Sequence, residues 1–156
     1  MASAKLNKIF PPSEPCSCDI CKSYCSRPGW WSVDEAIAAI DSDYANRFML
    51  EVSPEFTFGV ISPAFKGAET NFALQEYSGN GCTFLKDGLC ELFGTGLQPL
   101  ECRYCHHSRV GLGVKCHYAL EMEWDTFRGQ KVVEKWIEKV GFMWKDYYNN
   151  LISKNK

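Results

Sequence analysis

The sequence predicts a single small α+β domain, with cysteine-bearing turns and short strands packed by an N-terminal helix and a long C-terminal helix. Three observations predict it. The chain has 156 residues, 46% of them hydrophobic and 14% aromatic, enough for one core and too apolar for general disorder. Aromatic and β-branched runs punctuated by Gly and Pro fill the middle, and apolar stripes at helical spacing lie on either side. Four of the nine cysteines stand in one tight run, Cys16, Cys18, Cys21 and Cys25, and four more fall between Cys82 and Cys105. Two soft-ligand clusters far apart in sequence suggest a domain drawn together around metal.

Charge and composition exclude several classes. A net charge of -2 argues against a nucleic-acid partner, because phosphate contacts need clustered Lys and Arg. No apolar run approaches the ~18 residues of a membrane helix, and MASAKLNKIFPPSEP carries no secretory apolar segment. The expected location is therefore the cytoplasm, where thiols stay reduced. Nine cysteines are also an odd number for a disulfide framework.

Residues 1–15, with Pro11, Pro12 and Pro15, read as a loosely held arm, and residues 16–153 as the domain. Cys18, Cys21 and Cys25 share one face if helical. In a loop, Cys18-x2-Cys21 makes a knuckle gripping one tetrahedral ion, with Cys16 near enough to add a thiolate. Trp30 and Trp31 read as core packing. Ser32-Val33-Asp34-Glu35 is a capping box, opening a helix to about Asp43, with an extension through Tyr44–Leu50 left open. Residues 56–61 read as a strand that Pro63 ends or marks as an edge. Asn71–Tyr77 is short and ambiguous.

Gly79-Asn80-Gly81 makes a turn. Thr83-Phe84-Leu85 and Leu89-Cys90-Glu91-Leu92 then read as two strands. A two-residue Asp87-Gly88 loop would pair Leu85 with Cys90 and set Cys82 and Cys90 on opposite faces. A three-residue loop would pair Leu85 with Leu89 and set them on one face. A shared metal calls for the second register, which is the one expected. Gly94-Thr95-Gly96 and Pro99 form another tight turn. A helical turn after it brings Cys102, Cys105 and His106 to one side.

Cys116 follows, with His117 beside it. His106, His107 and His117 are candidate fourth ligands, since Cys₃His is a common zinc set. From Cys116 the chain reads as helical, with Asp125-Thr126 as a cap. Phe127, Val132, Val133, Trp136, Ile137 and Val140 form a core stripe, followed by Phe142, Trp144, Tyr147, Tyr148, Leu151 and Ile152, with Gly141 a point of interruption. Cys102-x2-Cys105-His106 also fits a c-type haem attachment pattern, set aside because that chemistry belongs outside the cytosol. The spacings alone do not separate zinc, copper(I) and iron–sulfur clusters.

RPGWW after the first cluster, ISPAFKG in the middle, and CTFLKDGLCELFGTGLQPLECRYCHH together resemble a zinc- or iron-chelating cysteine-cluster family, sometimes described as containing an iron–sulfur cluster. The family pattern is a C-x2-C-x2-C-C-type motif, a Cys-x-x-Leu, a Cys after a turn, and a Pro followed closely by Cys. Cys82 with Leu85, Cys90, and Pro99 with Cys102 match the last three. Cys18, Cys21 and Cys25 stand at the first, without an adjacent Cys-Cys pair, and Cys105, Cys116 and the histidines lie outside the pattern. The resemblance spans residues 16–117 and implies metal binding more than any reaction. The expected function is binding of zinc, or of iron in an iron–sulfur cluster, by the two thiolate clusters. Two alternatives stand beside it. One is a metal-dependent redox or modifying enzyme with an open coordination position, using His106, His107 or His117 with Glu91, Glu101 or Glu121 as partners. The other is an adaptor docking a protein through its aromatic C-terminal face. The metal ion is the expected partner; the sequence names no protein partner.

Overall fold

FMLEV, buried from Phe48 to Glu51 and partly buried at Val52, forms the central strand β1 (Phe48–Val52) in the computed structural model. The structure describes residues 2–12, 14, 18–19, 28–73, 81–104, 107–109 and 112–155. β2 (Gly59–Pro63) pairs antiparallel with β1, Phe48 opposite Pro63 and Val52 opposite Gly59. The two-residue β3 (Phe72–Ala73) pairs parallel on the other side, giving the order β2-β1-β3. Pro63 ends an edge strand, where a missing N–H costs no ladder bond.

Helix α1 (Ala2–Ile9) occupies the segment expected as a loosely held arm. Leu6 and Phe10, one turn apart, pack onto the core, and the buried Phe10 meets Tyr104 edge-on at 5.1 Å. Pro11 and Pro12 follow, as expected past a helix end. Helix α2 (Val33–Ile40) opens on the capping box read from the sequence. Ser32 Oγ accepts from the Glu35 N–H at 3.3 Å, and Glu35 Oε1 accepts from the Ser32 N–H at 3.0 Å. It ends at Ile40, short of Asp43, and no helix continues through Leu50: a 3-10 turn at Ala45–Arg47 leads into β1. Phe48, Met49 and Leu50 are all buried, which three consecutive residues of a surface helix cannot be.

The hairpin corrects the expected register. β4 (Leu85–Lys86) and β5 (Leu89–Cys90) pair Leu85 with Cys90 and Lys86 with Leu89. The loop is therefore the two-residue Asp87-Gly88, with φ of 52° and 79°. Positive φ at both positions is the geometry Asp-Gly favours, and its twist matches the strands. Thr83 and Phe84 are not strand. The Leu85 N–H bonds back to the Cys82 carbonyl at 3.1 Å, so a turn separates Cys82 from the hairpin, and Cys82 bridges to Phe65.

The short helix α3 (Leu100–Tyr104) carries Cys102. The expected long C-terminal helix is three helices: α4 (Gly113–Trp124), α5 (Phe127–Val140) and α6 (Lys145–Asn155). Thr126 Oγ1 caps α5 by accepting the Gly129 N–H at 3.0 Å, and Gly141, at φ 63°, closes it. Val132, Val133, Trp136 and Ile137 face the core as expected, whereas Phe127 is 80% exposed. Gln130 on α5 bonds both to the N–H and to the carbonyl of Gly59, at 3.1 and 3.0 Å, tying the helix to the β2 edge.

Trp30, Trp31, Trp124 and Trp136 are fully buried, and each indole N–H has an acceptor, as buried tryptophans require. Trp31 donates to the Leu97 carbonyl, Trp124 to that of Trp31, Trp136 to that of Ala45, and Trp30 to the Glu51 carboxylate. The whole is a small mixed α+β fold. No helix among the described residues is long and apolar enough to cross a membrane.

Candidate metal centre

The candidate ligands divide by what the structure describes. Cys16, Cys21, Cys25, Cys105 and His106 lie outside the described residues, and His107 opens a short 3-10 turn. Cys18 is exposed, Cys82 and Cys116 are buried, and Cys90 and Cys102 are half-buried. Among the described residues, no three Cys, His, Asp or Glu side chains come together as a metal cage.

Cys102, on α3, lies against Gly29. The chain leaving the first cluster passes directly over it. A methyl group on Gly29 would lie 2.6 Å from Cys102 Sγ and 2.9 Å from its backbone nitrogen, so only glycine fits. Two hydrogen bonds fix the crossing, one to a side chain and one between backbones: Trp30 N–H to Glu101 Oε1 at 2.9 Å, and Glu101 N–H to the Trp30 carbonyl at 3.2 Å. In sequence, Cys25 precedes Gly29 by four residues.

Cys90 is held, on balance, as a neutral thiol. Burial pushes its thiol above the ordinary range. The backbone N–H groups of Leu92 and Phe93 pull the other way by hydrogen-bonding to the sulfur, and the Glu91 charge adds to the upward push. Burial outweighs these donors, and a bound cation would offset it. The donor set therefore fits a thiolate metal such as zinc or iron.

Beside Cys82 stands Arg47. Its guanidinium lies 4.2 Å over the Phe84 ring and donates to Glu91 at 2.9 and 3.1 Å and to the Thr83 carbonyl at 2.7 Å. The Glu91 hydrogen bond raises the Arg47 pKa, burial opposes it, and the Cys82 sulfur contributes a smaller upward pull. Glu91, a candidate partner for a histidine, is thus engaged by Arg47.

Glu101 and Glu121 do meet a histidine. His117 Nδ1 is 2.8 Å from Glu101 Oε2, and its Nε2 is 3.2 Å from Glu121 Oε1. The Trp30 ring covers the imidazole, centroids 4.3 Å apart. Sequence reasoning missed Glu51, which is 1% exposed on β1 and accepts from Trp30 Nε1 and, at 3.2 Å, from Ser62 Oγ. A carboxylate inside the otherwise apolar FMLEV run was the available signal. Compared with known proteins, the chain matches no family model, no curated protein and no solved structure.

Proposed function

We propose that the chain binds zinc or an iron–sulfur cluster through thiolates of its two cysteine clusters, Cys16, Cys18, Cys21 and Cys25 with Cys82, Cys90, Cys102, Cys105 and Cys116. The observation that carries the reading is the crossing of Gly29, four residues after Cys25 in sequence, over Cys102. Soft sulfur donors select these metals over magnesium or calcium. The sequence resemblance supports the same reading, and a bound cation would offset the burial that raises the Cys90 thiol. Reduced thiols, and so a reducing compartment, are part of it.

A second reading, a metal-dependent enzyme, is favoured by one observation: His117 is held by two carboxylates yet keeps 28% of its side-chain surface exposed. The deciding experiment is anaerobic purification followed by absorption spectroscopy and elemental analysis. A brown protein with iron and acid-labile sulfide is expected for a cluster, and a colourless one with stoichiometric zinc for a zinc centre. Metal-free protein that keeps its fold and takes up neither would end the proposal. Exchangeable water on the bound metal would select the enzyme reading over a closed structural site.

A further inference from the structure

We propose that α3 couples the metal centre to the N-terminal helix: ligation at Cys102 locks α1 down, and loss of the metal releases it. The inference rests on the thiolate reading above and concerns what that centre controls. α3 has five residues, Leu100–Tyr104, too few to hold a helix without outside contacts. Cys102 is its middle residue, so whatever grips the sulfur acts on the whole element.

The N-terminal chain is docked on the last residues of α3. Arg103 Nη2 donates to Asn7 Oδ1 at 2.9 Å, and the Tyr104 ring meets buried Phe10 edge-on. Arg109, in the 3-10 turn His107–Arg109, closes the contact. Its guanidinium lies 4.7 Å over the Tyr104 ring. Its Nη1 donates both to the Tyr104 carbonyl, at 3.2 Å, and to the Pro11 carbonyl. On the other side, Gly29 lies against the Cys102 sulfur and Glu101 accepts from the Trp30 N–H.

The hold on α1 is narrow. An eight-residue helix is marginal alone. Ile9 is 54% exposed, and buried Phe10 with half-buried Leu6 makes the apolar contact. The Asn7–Arg103 and Phe10–Tyr104 contacts exist only while the end of α3 is formed, so fraying of α3 opens α1 as one local unit. A metal held at Cys102 favours the formed helix. Linkage makes the effect mutual: docked α1 tightens metal binding by the same factor by which the metal tightens docking.

The test is amide hydrogen exchange of the full chain, loaded with Zn2+ and again after chelation, beside Zn2+ titration of a Phe10→Ala variant. The Phe10 N–H, bonded to the Leu6 carbonyl at 2.7 Å, reports docking. Chelation should speed its exchange about tenfold, a coupling of ordinary size, with the amides of α5 unchanged. Phe10→Ala, which removes no candidate ligand, should weaken Zn2+ binding by about the same factor at unchanged stoichiometry. Equal exchange at Phe10 in loaded and stripped protein, acceleration spread equally over α5, or equal Zn2+ affinity in both chains overturns the coupling and leaves the thiolate centre standing. The wild-type exchange result stands even if the variant misfolds. A wild type that takes up no Zn2+ overturns the zinc centre and the coupling with it.

Discussion

Gly29 and Gly113 show how much one β-carbon decides here. Neither has a left-handed backbone, so any difference between them is steric. At Gly29 the added methyl runs into Cys102 Sγ and the α3 backbone; at Gly113 it meets nothing within 4 Å. Gly29→Ala should therefore destabilise the fold by about 1–3 kcal/mol, the usual range for overpacking. Gly113→Ala, in the first turn of α4, should stabilise it by up to ~1 kcal/mol through lost unfolded-state freedom. Urea unfolding of the two variants reads the contrast, and equal midpoints would mean that the crossing over Cys102 is looser than it looks. At this scale the sequence pointed to the cysteines as chemistry but could not show their neighbours. Nothing local in Gly29-Trp30 indicates that Glu101 and Cys102 lie against them. Glu51 was missed for a related reason: its partners, Trp30 and Ser62, come from other segments.

Among the elements, Glu35 joins two helices. Its Oε1 accepts from the Ser32 N–H at the start of α2 and, at 3.1 Å, from the Leu100 N–H at the start of α3. Its Oε2 pairs with Arg103. One carboxylate thus serves two helix N-termini, each of which presents orphan donors and a partial positive charge. Glu35→Ala should cost about 2–4 kcal/mol, a lost cap plus donors left without a partner. Hydrogen exchange should accelerate at the amides of Ser32 and Leu100 together. Acceleration at Ser32 alone would show that α3 is held by other means. The α2 half of this was legible, because a capping box is written in four consecutive residues. The hairpin was legible too, but a shared metal at Cys82 and Cys90 calls for a register that the loop does not adopt. Asp87-Gly88 decided instead, by accepting positive φ at both positions. Backbone chemistry outranked the inferred ligand geometry. The break of the C-terminal run at Thr126 was marked in advance by its cap, whereas Phe127 looked like core and is not.

Across the whole molecule, the class of fold was legible and its assembly was not. Periodicity separates helix from strand within a window, but the order β2-β1-β3 and the docking of α1 through Phe10 depend on contacts between distant segments. The same holds for metal. A cation that gathers thiolates from both ends of the chain would link those distant segments, and its binding free energy would become folding free energy. At a free metal concentration 100-fold above the dissociation constant the gain is about 2.7 kcal/mol, which raises Tm by about 5–10 °C in a domain of this size. A chelator should remove that increment. Cys90→Ser separates ligation from packing: its sulfur is half-buried, so a purely structural role predicts the same loss of Tm with and without chelator. A ligand role predicts a large loss in the metal-loaded protein and a small one after chelation, because the stripped wild type has already lost what the variant lacks. Equal losses under both conditions would remove Cys90 from the centre.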